Sequence, residues 1–120
     1  MQHVLVDARN GAVIATDLEL ARSMWQRSRG LLGRRGLLEG GGMHFAGTNS
    51  IHMLFMRFPI DVLYLDRNGR AVKLVHDLAP WRFSAAWRAK ATIELPAGTL
   101  RRLDVRVADV IEFRTLAAAA

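Results

Sequence analysis

The chain has no cysteine, two lysines, three prolines and one tyrosine among its 120 residues. Without a thiol it forms no disulfide, thiolate metal site or iron–sulfur cluster, and it has no cysteine nucleophile. The longest stretch free of charged residues, 40–56, carries four glycines together with His44, Thr48, Asn49, Ser50 and His52. That is too polar for a bilayer span, so no membrane association is expected. The opening residues turn strand-like at His3 without an apolar targeting stretch, and the expected compartment is the cytoplasm.

What is present is one domain's worth of chain, 51% hydrophobic and 23% charged. A chain of this size buries roughly two thirds of its unfolded surface, enough for a core without staples. Residues 1–116 are read as a single domain and Ala117–Ala120 as a frayed tail. The formal net charge is +6, and fifteen of the seventeen basic residues are arginine. Arg22, Arg27, Arg29, Arg34 and Arg35 form one basic region without an intervening acid, and Arg82, Arg88, Lys90, Arg101, Arg102 and Arg106 form another. Such an excess attracts polyanions, although solvation of the surface is its simplest duty.

Two hairpins are legible. His3–Ala8 and Ala12–Thr16 flank Arg9-Asn10-Gly11, and Pro59–Asp66 and Ala71–Val75 flank Arg67-Asn68-Gly69. An Asn-Gly pair tolerates the positive φ of a tight turn. Two hairpins choosing one good turn is a simpler account of the shared tripeptide than an internal repeat. Between them Ser23 caps a short helix, with Gln26 completing a capping box and Gly30 or Gly33 ending it. Further strands are expected at Met43–Ala46, Ala91–Leu95 and Val105–Arg114, with a turn at Pro96-Ala97-Gly98. The pattern predicts a mainly β fold: an antiparallel β-sandwich or small barrel with one short α-helix.

Four ordered motifs carry a family resemblance. Gln26-Arg27-Ser28-Arg29-Gly30-Leu31-Leu32-Gly33-Arg34 matches a helix signature, and Gly42-Met43-His44-Phe45 matches a Gly-Met-x-Phe block. Met53 through Pro59-Ile60-Asp61-Val62-Leu63-Tyr64-Leu65-Asp66 matches a block with Pro-Leu/Ile-Asp and a strand ending in Asp. Glu94–Gly98 and then Ala108-Asp109 match Glu-Leu-Pro-Ala-Gly and a closing Gly-Asp. Over about residues 13–113 the chain resembles the bacterial and archaeal domain-of-unknown-function family 192. The resemblance implies a jelly-roll-like β-sandwich and brings no activity or cofactor. Where members carry Phe-Trp-Met-Lys-Asn-Thr, this chain reads Ile51-His52-Met53-Leu54-Phe55-Met56, so no site built on Lys-Asn-Thr carries over.

Asp61 stands beside apolar neighbours whichever face of its strand is core. Such a carboxylate needs a partner, either Arg57 or the backbone N–H groups of the Phe58-Pro59 turn. Glu94 alternates with Ile93 and Leu95 and is read as either solvated or chemically active. His44 and His52 with Asp61 or Glu94 would make a zinc or iron shell, but their spacing belongs to no metal motif, so no metal and no cofactor is expected. The glycines 40–42 lack the Lys-Ser/Thr of a phosphate loop. Trp81, Phe83 and Trp87 interleave with Arg82 and Arg88, a pattern suited to single-stranded nucleic acid; covering the sandwich end is the plainer role.

Together these residues predict a small-ligand binding module, for a saccharide or an anion, with a cleft near Thr48, His52, Arg57, Asp61, Arg82 and Glu94. A hydrolase using Asp61 or Glu94 with a histidine is the enzymatic alternative. A basic adaptor for nucleic acid or an acidic protein is the third.

Overall fold

A computed structural model describes residues 2–21, 39–54 and 56–116. Among the described residues the strands are β1 (Gln2–Asp7), β2 (Val13–Ala15), β3 (Asp17–Ala21), β4 (Gly41–Ala46), β5 (Ser50–His52), β6 (Ile60–Leu65), β7 (Ala71–Leu78), β8 (Phe83–Ala85), β9 (Ala91–Pro96) and β10 (Ile111–Leu116), with a short helix, α1 (Thr99–Arg102), before β10. The expected helix from Ser23, the first basic region and the Ala117–Ala120 tail lie outside the described residues.

Both Asn-Gly turns form where the sequence places them. Asn10 Oδ1 accepts the Ala12 N–H at 2.9 Å, and Gly11 takes φ 74°. Asp66 Oδ1 accepts the N–H groups of Asn68 and Arg70 at 2.8 and 2.9 Å, and Gly69 takes φ 79°. A side chain at Gly69 would bring its Cβ to 2.9 Å from the Ile111 carbonyl oxygen, so glycine is required there by space as well as by φ.

The strands assemble into a three-stranded sheet, β10-β1-β2, a five-stranded sheet, β3-β4-β9-β6-β7, and a two-stranded ribbon, β5-β8. The fold is mainly β and its sheets do not close into a barrel. One pairing departs from the antiparallel expectation, because β3 and β4 run parallel. The long connection over residues 22–40 permits the crossover that a parallel pair needs. Two further differences fall at the C-terminal end. Thr99–Arg102 is helical after Gly98 at φ 90°, and the last strand begins at Ile111, not Val105. Asp104 and Ala108 adopt φ 55° and 78°, which breaks extended pairing in that segment, while Val105 still reaches the core from the loop.

Alternation along the five-stranded sheet divides the core into two layers. Leu63, Leu65, Ile93 and Leu95 pack with Leu5, Ile14 and Ala15 of the three-stranded sheet. On the other face Met43, Phe45, Ile60, Val62 and Tyr64 pack with Ile51, Met53, Met56, Ala86 and Ala89, which belong to the ribbon and its flanks. Strand β6 is therefore buried along its whole length, and Asp61 is the one charged residue in its otherwise apolar run.

Candidate functional site

The six residues expected to line one cleft do not converge. Val62 is in register with Glu94 and Asp61 with Leu95 on adjacent strands, so the two carboxyl groups point to opposite faces of the sheet. Arg57, His52 and Arg82 are exposed, and Thr48 is half-buried with its carbonyl accepting the Thr92 hydroxyl at 2.7 Å.

Asp61 is fully buried and its oxygens are committed to backbone donors. Oδ1 accepts the Asp77 N–H at 3.0 Å and Oδ2 accepts the Leu100 N–H at 2.9 Å. These partners replace both expected ones, Arg57 and the Phe58-Pro59 turn. The carboxylate pins two irregular places at once: Asp77, at φ 52° beside a register shift in the β6–β7 pair, and the first turn of α1. Its work is structural, since neither oxygen is left to meet a ligand.

Glu94 is not solvated. It is 7% exposed, lies between Met43 and Val62 in register, and its Oε2 has no hydrogen-bond partner among the described residues. Burial alone pushes this carboxyl up to about 7. Tyr64, on the same face, is also raised, by burial first and then by the neighbouring Glu94, and its hydroxyl is bonded to Ser84 Oγ at 2.9 Å. His44 cannot serve Glu94, because it lies on the opposite face of β4, edge-on to Phe113 with centroids 5.0 Å apart. His52 points outward from the ribbon, so the proposed zinc or iron shell is scattered over separate surfaces. Among the described residues no group of three or more His, Asp or Glu is placed to hold a metal.

The ribbon and its flank gather Trp81, Arg82, Phe83, Trp87 and Arg88. His52 pairs with Phe83 across β5 and β8, and Ile51 with Ser84. Alternation turns Ser84 inward to Tyr64 and leaves His52 and Phe83 outward. The Met53 N–H donates to the Arg82 carbonyl at 2.7 Å, and the Trp81 N–H donates to the Met53 carbonyl at 2.7 Å, so Trp81 and Arg82 are held at the end of the same ribbon. Trp81, Phe83 and Trp87 are 59%, 70% and 97% exposed, with Arg82 and Arg88 exposed among them. The expectation that these rings cover the end of the sandwich is thus corrected. Burying Ser84, Ala86 and Ala89 is enough to seat this segment, and the large side chains between them face water.

A second carboxyl pair escaped sequence reading. Asp7 and Asp109 are both buried, where β1 ends and the 104–109 loop returns. Asp7 Oδ1 accepts the Arg9 N–H at 2.9 Å, Asp109 Oδ1 accepts Arg9 Nε at 2.8 Å, and Asp109 Oδ2 accepts the Arg106 N–H at 2.9 Å. Burial, then the neighbouring Asp109, raises Asp7. Asp109 is held low against its own burial by the neighbouring Asp7 and by hydrogen bonds from the Arg106 N–H and Arg9. The group latches the loop to β1. Asp109 was visible as the closing acid of the last motif, but nothing local joins it to Asp7, about a hundred residues away.

Comparison with known proteins matches residues 5–113 to the domain-of-unknown-function family 192, described as an uncharacterized ACR. The chain is 43% identical over 68 residues to a UPF0127 protein of Pyrococcus furiosus, covering 56% of this chain and 58% of that relative's own length. It is 31% identical over 115 residues to a UPF0127 protein of Thermococcus gammatolerans, covering 92% of this chain and 74% of the relative. A crystal structure from Sinorhizobium meliloti 1021, of a protein described as a candidate transcription regulator, is similar at a TM-score of 0.80 and 28% identity, covering 93% of this chain and 92% of that one.

Proposed function

The chain belongs to the domain-of-unknown-function family 192, and we propose that this member is a cytoplasmic binding module whose aromatic ribbon takes single-stranded nucleic acid. The observation that carries the reading is the run Trp81 to Arg88, in which three exposed rings alternate with Arg82 and Arg88 on a segment tied to the fold by backbone bonds. Bases stack on such rings without regard to sequence, each worth about 1–3 kcal/mol, while the guanidinium groups neutralise phosphates. Large exposed apolar side chains in one place are also what a binding surface looks like on a soluble domain. A flat, open arrangement suits a chain of stacked bases better than a small molecule, which is ordinarily held in a concavity. No described helix is long and apolar enough to cross a membrane.

Fluorescence anisotropy with short labelled single-stranded DNA and RNA, alongside duplex DNA and heparin, tests the proposal. Binding to single strands at low salt that weakens steeply as salt rises, and exceeds binding to heparin, is the expected result. Absence of single-strand binding at low salt removes it.

A second reading retains the small saccharide or anion as ligand. Its support is the pairing of His52 with Phe83 beside Arg82, a ring with a hydrogen-bonding rim and a cation. A thermal-shift screen of sugars and anions separates the two, since a ligand that binds only the folded state raises its melting temperature.

A further inference from the structure

Glu94 and the ribbon share one face of the five-stranded sheet. The carboxyl lies between Met43 of β4 and Val62 of β6, with Oε2 buried and unpartnered among the described residues. On that face the ribbon is fastened by the Tyr64 hydroxyl to Ser84 at 2.9 Å, by Lys73 Nζ donating to the Ala85 carbonyl at 2.8 Å, and by the apolar side chains of Ile51 and Ala86. The ribbon has three residues in each strand and pairs with neither larger sheet. Small two-stranded units are marginal by themselves, so the ribbon is a layer that detaches at low cost.

Among the described residues, the groups around Glu94 give its charge no counterpart. From β6 comes Tyr64, a neutral phenol; from β3 comes Glu19, exposed and of like sign, on the same face one strand beyond Met43. From β7 comes Lys73, whose ammonium is turned to the Ala85 carbonyl. The ribbon presents Ser84 inward, while its charged or titratable neighbours His52, Arg82 and Arg57 are exposed to water.

We propose that Glu94 is a protonation switch for the β5–β8 ribbon: the neutral carboxyl lets the ribbon close on the sheet, and ionisation drives it toward a detached form in which water reaches the carboxylate. A buried carboxylate without a donor is costly, and opening the thinnest layer above the face relieves that cost. The acid–base midpoint of the closed form, raised by burial to about 7, puts the switch near neutral pH. The inference stands whatever ligand the ribbon takes, because its readout is the ribbon.

Hydrogen exchange of the full chain across pH tests it. The reporters are the Met53, Trp81 and Ala86 amides, which donate to the carbonyls of Arg82, Met53 and Asn49. After correction for intrinsic exchange, their opening should rise roughly tenfold per pH unit between about 5 and 7 and level off above, as one linked proton requires. Glu94→Gln should abolish that dependence. A ribbon whose corrected exchange is flat with pH in the parent, or equally steep in Glu94→Gln, overturns the proposal. If Glu94→Gln does not fold, carbon-13 carboxyl spectra of the parent decide. One of the four glutamates should titrate near neutral pH together with the ribbon amides, and ordinary titration of all four overturns the switch.

Discussion

Asp61 Oδ2 accepts the backbone N–H of Leu100 at 2.9 Å, a bond that ties the buried strand β6 to the first turn of α1. The other oxygen takes the N–H of Asp77 in the strained bend of β7. Asp61→Asn turns a dual acceptor into a group with one acceptor oxygen, so an N–H now faces an NH2. Urea unfolding should show a loss of about 1.5–3 kcal/mol, and Asp61→Ala should lose more by orphaning both donors. Unchanged stability in Asp61→Ala would contradict this assignment.

The two turn glycines separate φ from space. Gly11 and Gly69 share a left-handed φ, but only Gly69 has a backbone oxygen in the place of its missing Cβ. Gly11→Ala should cost about 1 kcal/mol, the conformational penalty alone. Gly69→Ala should cost distinctly more, because the Ile111 carbonyl must move. Equal melting temperatures for the two variants would show that the close approach carries no energy.

Stability should carry the signature of Glu94. Its folded-state value, about 7, lies above the ordinary 4.5, so the folded form favours the proton. That contribution is fully present below about 4.5, is lost as pH rises to about 7, and is flat beyond, a change of about 3 kcal/mol. Asp104, lowered by Arg106, runs the other way and loses its contribution in acid. Denaturation at a series of pH values should therefore show Glu94→Gln gaining on the parent between about pH 5 and 7. No relative gain would place Glu94 in contact with water or with a donor.

On the ribbon, stacking and charge should part in the salt dependence. Trp87→Ala should weaken single-strand binding by about 1–3 kcal/mol with the salt slope unchanged. Arg82→Ala should reduce the slope by about one phosphate contact. A Trp87→Ala variant with full affinity would leave charge alone as the source of binding.

Local rules made much of this protein legible before its fold was known. Asn10-Gly11 and Asn68-Gly69 announce their turns because a left-handed φ is a property of a few residue types. The run Ile60–Leu65 announces a strand, and the lone Asp61 within it announces a carboxylate in need of donors, although the run alone does not announce the burial of both faces. The partners were not legible: Asp77 and Leu100 lie 16 and 39 residues away, brought in by the bulge of β7 and the start of α1. The missed parallel pair of β3 and β4 depends likewise on a crossover, and no periodicity records strand direction.

Alternation says that Glu94 and Ile93 face opposite sides of β9; it does not say which sides meet water. The three-stranded sheet covers Ile93 and the layer carrying the ribbon lies on the face of Glu94, so both are buried and only one can be satisfied. The same placement of layers turned Trp81, Phe83 and Trp87 outward, where the sequence pattern points to rings covering the sandwich end. The sequence by itself determined the two Asn-Gly turns, the hairpin strands that flank them and the chemistry excluded by a missing thiol, because those follow from single residues and their neighbours. Only the tertiary structure decided which carboxyl is tied, which is stranded and which rings are exposed, because burial is a relation between layers far apart in the chain.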